Sequence, residues 1–310
     1  MFHKPQNIAL ALIGTIALGM PPATALNVGV SPPRMELEMN SKQRVQSIRV
    51  VNRSSETVEM KASVKSWTMN ENNKLEEIMP SEQSLSQWIV FTPSRFTIAP
   101  GGTQTIRFTI RPKTQPKVGE HRAVLFLEEV ASNQPKASNT VATVGRVGVV
   151  IYGYTGAVKR VGVLNSLTVD TKPNAMKAVF DISSQGNGYV RLNGQYAIWP
   201  AAKYPGAEVT KPIANLGKPQ AKEIANLVDV GLLPTAPILP DTRRRVLLPI
   251  TKKLLPGNYV LDINGELNGV AIQKGIPFTV DAPVANNSRT QPQPTSQNLR
   301  DSLKNPQRRR

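Results

Sequence analysis

The sequence has no cysteine, only two histidines, and few aromatic residues (5%). Without cysteine there is no disulfide, thiolate metal site, iron–sulfur cluster or cysteine nucleophile. His3 falls within a segment expected to be removed. A histidine-rich metal centre is therefore excluded, and a Ser-His-Asp triad has only His121 to be built on. No glycine loop suited to phosphates and no metal cluster is evident, so neither a cofactor nor a metal is expected. Long apolar runs are equally scarce. The one uncharged apolar stretch, residues 8–20, is short of the ~20 residues that span a bilayer.

That stretch follows a weakly positive start (Lys4) and precedes Pro21, Pro22 and Ala23-Thr24-Ala25. Small residues three and one positions before a cut mark a leader cleavage site, so residues 1–25 read as a signal peptide cut after Ala25. The expected location is outside the cytoplasm, without integral membrane insertion after cleavage. The chain has 310 residues, 26 Pro, 21 Gly and 40% hydrophobic residues. That is enough apolar material for folded cores, and too much chain for one core of up to about 250 residues.

The rest of the chain is dominated by short apolar alternations, broken about every ten residues by turn signals, the pattern of β-sandwiches. Strands are expected at residues 43–51, 58–67, 88–92, 103–110, 120–130 and 140–154. A second series falls at 178–183, 190–199, 245–250, 259–263 and 276–280, with a weaker one at 225–230. Residues 200–240 are proline-rich and poorly patterned. The fold class is therefore all-β, with two immunoglobulin-like sandwich domains at 26–155 and 156–281. Residues 282–310 contain Gln291-Pro292-Gln293-Pro294 and end in Arg308-Arg309-Arg310. They bury too little to order themselves and read as a disordered basic tail.

Four segments resemble the periplasmic chaperones of chaperone–usher pili. Ser31-Pro32-Pro33-Arg34-Met35-Glu36-Leu37 is similar to the family's first strand. Trp88-Ile89-Val90-Phe91-Thr92-Pro93-Ser94-Arg95-Phe96, with Pro100-Gly101 and Ile106-Arg107-Phe108, is similar to its most specific block. Gly119 to Leu127 and Gly145 to Tyr152 are similar to its last two strands of the first domain. The second domain matches only through the Gly186-Asn187-Gly188 and Pro256-Gly257-Asn258-Tyr259 turns. One departure stands out: where better-known members carry a lysine in the last strand, this chain has Gly148.

The resemblance implies two sandwiches in an L or boomerang arrangement, in the periplasm. It implies a chaperone that caps fimbrial (pilin) subunits by donor-strand complementation, without ATP, and passes them to an outer-membrane usher. It implies a cationic anchor for the subunit's C-terminal carboxylate, for which Arg34 and Arg146 are the candidates. The donor strand would present Val141, Thr143, Val147, Val149 and Ile151, with the donated face left open. Arg107 is expected in a structural charge pair, and His121 at the surface rather than in catalysis; no enzyme is expected. The net charge of +17 suits steering toward acidic partners, and the leader and lack of clustered aromatics argue against nucleic acid. Two other readings stay open: a secreted immunoglobulin-like structural or adhesive module, and a polyanion binder using the tail and Arg243-Arg244-Arg245.

Overall fold

The computed structural model describes residues 27–39, 45–70, 72–130, 145–172, 175–218 and 224–282. The expected leader, the basic tail, and Val141 and Thr143 lie outside the described residues. The first ten strands are β1 (Val28–Ser31), β2 (Arg34–Glu38), β3 (Gln46–Asn52), β4 (Val58–Met69), β5 (Leu75–Ile78), β6 (Ile89–Thr92), β7 (Arg95–Ile98), β8 (Thr103–Ile110), β9 (Gly119–Glu129) and β10 (Arg146–Thr155). The next seven are β11 (Gly162–Asp170), β12 (Lys177–Ser184), β13 (Leu192–Pro200), β14 (Asp229–Leu232), β15 (Arg243–Pro249), β16 (Gly257–Leu267) and β17 (Val270–Val280).

One sheet runs β1-β3-β8-β6. It faces a second running β2-β10-β9-β4-β5, with β7 also on β4. Between them lie Ile48, Val50, Met60, Trp88, Ile106, Phe108, Leu125, Leu127, Val149 and Ile151. The period-2 alternation explains this directly: Ile48 and Val50 turn inward while Ser47 and Arg49 turn outward. A second sandwich packs β11-β12-β15 on β14-β13-β16-β17 around Phe180, Ile182, Ile198, Val246, Leu261 and Ile263.

Strand β9 is buried on both faces, which is why its sequence reads as a continuous apolar run. Ala123, Leu125 and Leu127 face the first core, whereas Val124 and Phe126 join Trp67, Tyr152, Tyr154, Tyr189 and Leu239 in a third cluster. Tyr189 and Leu239 come from the second sandwich, so this cluster is where the two sandwiches meet.

The N-terminal strand is not continuous. Pro32 and Pro33 interrupt it, so β1 pairs antiparallel with β3 while β2 pairs parallel with β10, in the opposite sheet. Proline has no backbone N–H to give to a ladder, so such a crossing falls naturally there. Strands β5, β7 and β11 have no counterpart in the sequence reading. The first two are only four residues long, and β11 carries a register shift between Leu164 and Ser166 that breaks its alternation.

Two single-residue expectations are corrected. His121 is buried, not superficial: its Nδ1 lies 2.8 Å from the Gln83 carbonyl and its Nε2 2.9 Å from the Lys117 carbonyl, with the ring against Trp88. Arg107 has no acidic partner among the described residues; it stands on the outer face of β8 beside Ser47 and Thr92.

Buried Asn52 is the main polar fastener of the first sandwich. Its Nδ2 donates to the carbonyls of Glu56 (2.7 Å) and Ile98 (3.0 Å), and its Oδ1 accepts from the Ser54 amide (2.9 Å) and hydroxyl (2.7 Å). Asn52→Ala takes these donors away from the buried Ile98 carbonyl and from the Glu56 carbonyl, which keeps the Ser54 hydroxyl. It is expected to destabilise the protein by about 1–3 kcal/mol, the penalty for one buried polar group that loses its partner. Urea denaturation followed by tryptophan fluorescence measures this, and a loss within 0.5 kcal/mol of zero refutes the fastener role.

Candidate functional site

Strand β10 is central to the site. From Val150 to Tyr154 it lies between β9 and β2. From Arg146 to Val149 it pairs with β9 on one side and, among the described residues, with no strand on the other. The reason is the Pro32-Pro33 crossing: β2 begins only at Arg34, opposite Val150. Val150 donates its N–H to the Pro33 carbonyl on the β2 side (3.4 Å). Because strand amides alternate, the N–H and C=O of Gly148 point to that same, open side. An unpaired edge of this kind is a template for another strand.

The expected donor residues face elsewhere. Val149 and Ile151 are fully buried in the first sandwich's own core, and Val147 packs against it. These side chains hold the strand in place rather than projecting from it. Gly148 is on the opposite face, where an added Cβ meets Val124 at 3.0 Å and Phe126 at 3.1 Å. A lysine at 148 would have to displace that packing.

The structure does not bring Arg146 and Arg34 together. Four residues of β10 separate Arg146 from the position opposite Arg34, about 13 Å at ~3.3 Å per residue. Arg146 is already committed: its Nη2 is 2.5 Å from Glu77, its Nε 2.7 Å from Glu128, and its guanidinium lies 3.4 Å over the Phe126 ring. With two carboxylates on it, Arg146 is a poor anchor for a third.

Arg34 has different company. It shares the outer face of β2 with Glu36, whose carboxylate is held from four directions. Oε1 accepts from the Tyr189 hydroxyl (2.6 Å) and lies 3.4 Å from Arg34 Nε. Oε2 accepts from the Tyr154 hydroxyl (2.9 Å) and lies 3.8 Å from Arg160 Nη2. Burial works against the Glu36 charge. The two tyrosine hydroxyls, with Arg34 and Arg160, outweigh it and hold the carboxyl below its ordinary range. The same burial raises both tyrosines, reinforced by their bonds to Glu36.

Arg160 is fixed by aromatic rings, 4.9 Å from the centre of Tyr154 and 5.1 Å from that of Tyr189. Arg191 lies 4.7 Å from the Tyr189 ring. The turn at residues 186–188 makes this arrangement possible. A Cβ on Gly188 would meet Val158 at 2.5 Å and the Arg160 stem at 3.3 Å. Asn187 accepts the Lys159 amide (2.6 Å) on its side chain and the Glu120 amide (2.8 Å) on its carbonyl. The turn thus ties the interdomain segment and the first sandwich to the second.

Glu120 sits deeper. Burial pushes its carboxyl up, against the Tyr189 amide (2.7 Å) and Arg122 (3.6 Å) that favour its charge. The sequence reading missed Glu36, Tyr154, Tyr189, Arg160 and Glu120 as site residues. The only local signal was the Gly186-Asn187-Gly188 turn, because these groups converge from both sandwiches. The Arg243-Arg244-Arg245 run is split: Arg243 pairs with Asp181 (2.6 Å), while Arg244 is buried and bonds Pro237 and Asn73. The second sandwich also holds a cavity of about 470 Å³ lined by Trp199, Val209, Ile213, Ile224 and Val230. Among its lining groups Asn264 donates to Asp262 and Thr210, while Asn264 Oδ1 and the Trp199 indole N–H are buried without a partner among the described residues. The convergent charge lies instead at the meeting of the sandwiches.

Residues 29–149 match the family model described as pili and flagellar-assembly chaperone, PapD N-terminal domain. No curated protein matches the chain in sequence. Similar solved structures include the YadV chaperone, 11% identical, with 81% of this chain and 100% of that one covered and a TM-score of 0.42. The CsuC–CsuE chaperone–tip adhesion subunit complex of Acinetobacter baumannii is 13% identical, with 80% and 97% covered and a TM-score of 0.39. The chaperone DraB of E. coli is 13% identical, with 84% and 100% covered and a TM-score of 0.38.

Glu36 and Glu120 give opposite pH signatures. The lowered folded-state pKa of Glu36 contributes stability above its ordinary value of 4.5, lost as pH falls through the folded value. The raised pKa of Glu120 contributes in the other sense, present below 4.5 and lost as pH rises through the folded value. Between about pH 7 and about pH 4, Glu36→Gln is expected to flatten the acid-side loss of stability and Glu120→Gln to steepen it. Urea unfolding of the three proteins at both pH values checks this. Parallel curves refute the assignment.

Proposed function

We propose, from the match of residues 29–149 to the model of the N-terminal domain of pili and flagellar-assembly chaperones, that the protein is a periplasmic chaperone for fimbrial subunits. It caps an incomplete subunit by lending the open edge of β10 and delivers it to an outer-membrane usher, without ATP. The observation that carries this reading is the edge itself: a strand held rigidly from behind by Val147, Val149 and Ile151, with its other side unpaired among the described residues.

Strand addition draws affinity from backbone bonds. The outward groups of Arg146 and Gly148 offer about four, at about 0.5–1.5 kcal/mol each, or about 2–6 kcal/mol. That is the range of weak, millimolar-scale association. An end anchor is therefore valuable, both for affinity and for register, since a one-residue slip inverts every side chain. Arg34 stands where the open edge ends. A strand added parallel to β10 brings its C-terminal carboxylate toward Arg34; an antiparallel one brings its ammonium. The cation thus favours the parallel direction.

The domain limits 26–155 and 156–281 suit this reading, because the site lies where two separately cored sandwiches meet. The structural-module alternative needs no open edge, and the polyanion alternative loses Arg243 and Arg244 to internal contacts.

The test is co-expression with exported pilin-like proteins encoded beside the gene, followed by purification and hydrogen exchange. A soluble one-to-one complex is expected. In it the Gly148 amide slows markedly relative to the free protein, while Val147 and Val149 are protected in both. Complex formation with Gly148 still exchanging freely refutes addition at this edge, and absence of any complex refutes the chaperone reading.

A further inference from the structure

The outer face of the second sandwich is roofed by the proline-rich, poorly patterned segment that follows β13. Ile198, Leu261 and Ile263 point into the core, so Ala197, Trp199, Asp262 and Asn264 point out of it. Val230, Ala197, Asp262 and Gly275 stand in one row across β14, β13, β16 and β17. Residues 204–213 pass over this face and are pinned at three places. The Tyr204 hydroxyl donates to Asp262 (2.9 Å), Asn264 donates to Thr210 (3.0 Å), and Gln195 exchanges two bonds with the Ile213 backbone (2.7 and 2.9 Å). A Cβ at position 275 would meet the Tyr204 hydroxyl at 2.5 Å, so glycine there admits the first tether. Between roof and sheet lies the cavity of about 470 Å³, within the ~300–1,000 Å³ typical of small-molecule sites.

Its walls are apolar, formed by Trp199, Val209, Ile213 and Val230, but its floor is short of positive charge. Asp262 is 1% exposed and forms no ion pair among the described residues; its two oxygens are met by the Tyr204 hydroxyl and the Asn264 amide. Burial, and then the bond to Asp262, raise the Tyr204 hydroxyl above its ordinary range, so it stays a neutral donor. Asn264 Oδ1, beside the same carboxylate, has no partner among the described residues. Lys211 lines the cavity from its exposed side and likewise forms no ion pair among the described residues. A buried carboxylate with no cation near it is costly, and a bound positive charge relieves that cost. We infer that this cavity binds a small apolar ammonium compound, with its hydrocarbon part against the walls and the Trp199 ring and its charge offset by Asp262. The inference is independent of the strand-capping reading, since no residue of β2 or β10 takes part.

Hexylammonium is the probe, with hexanol and hexanoate as its neutral and anionic counterparts, followed through the tryptophan indole N–H NMR signals of the full chain. A saturable shift of the Trp199 signal is expected, about tenfold or more tighter for hexylammonium than for hexanol. Hexanoate is expected to bind weakest, and the Trp67 and Trp88 signals to stay in place. Asp262→Asn is expected to erase the preference for the charged probe while hexanol still binds, which also reports an intact cavity. Ala197→Leu fills the cavity from its floor and is expected to abolish binding of both probes with the Trp67 and Trp88 signals unchanged. No saturable Trp199 shift with any probe overturns the site, and so does binding that survives Ala197→Leu or moves all three indoles alike. Equal affinity for hexanol and hexylammonium, or a preference that persists in Asp262→Asn, overturns the role of Asp262. Tightest binding of hexanoate overturns the ammonium assignment and gives the ligand's charge to Lys211.

Discussion

The molecule depends on one backbone constraint, the crossing of the N-terminal strand between sheets at Pro32-Pro33. Upstream, β1 completes one sheet of the first sandwich; downstream, β2 borders the other. Among the described residues this arrangement leaves β10 covered on that side only from Val150 onward and places Arg34 at the end of the uncovered part. The open edge and the cation beside it are thus consequences of one dipeptide. A continuous strand lying along all of β10 would remove both.

The second organising element is the polar group of Glu36, Tyr154, Tyr189 and Arg160. A carboxylate moved out of water costs several kcal/mol unless its lone pairs are met. Here each oxygen has one hydroxyl and one guanidinium nearby, and the balance favours the charged form. The hydroxyls come from different sandwiches, so satisfying the carboxylate also fixes how the sandwiches meet. Glu120 repeats the device with a less favourable balance, since its burial is deeper and its partners fewer.

The strands of the first sandwich were largely legible in sequence. Residues 103–110 were read with the bounds of β8, and β3, β4 and β9 within a few residues, because one buried face imposes alternation on each. Strand β10 was harder. It was read as starting at residue 140, and which of its faces is donated was left open. Val149 and Ile151 look the same in sequence whether they fill their own core or another protein's. Arg34 and Arg146 were named together as anchor candidates from local motif alone: Arg146 shares a strand face with Gly148, and the carboxylates of Glu77 in β5 and Glu128 in β9 that engage it are distant in sequence.

The sequence by itself determined the all-β class, the two-sandwich plan, and the segment that matches the chaperone family, since these follow from periodicity, turn chemistry and local motif. Only the tertiary structure decided which edge is open, which face of β10 is buried, and which cation stands with Arg34. Those outcomes depend on groups far apart in the chain meeting across an interface. Pairwise electrostatics and packing at such a meeting leave no periodic trace in the residues that make it.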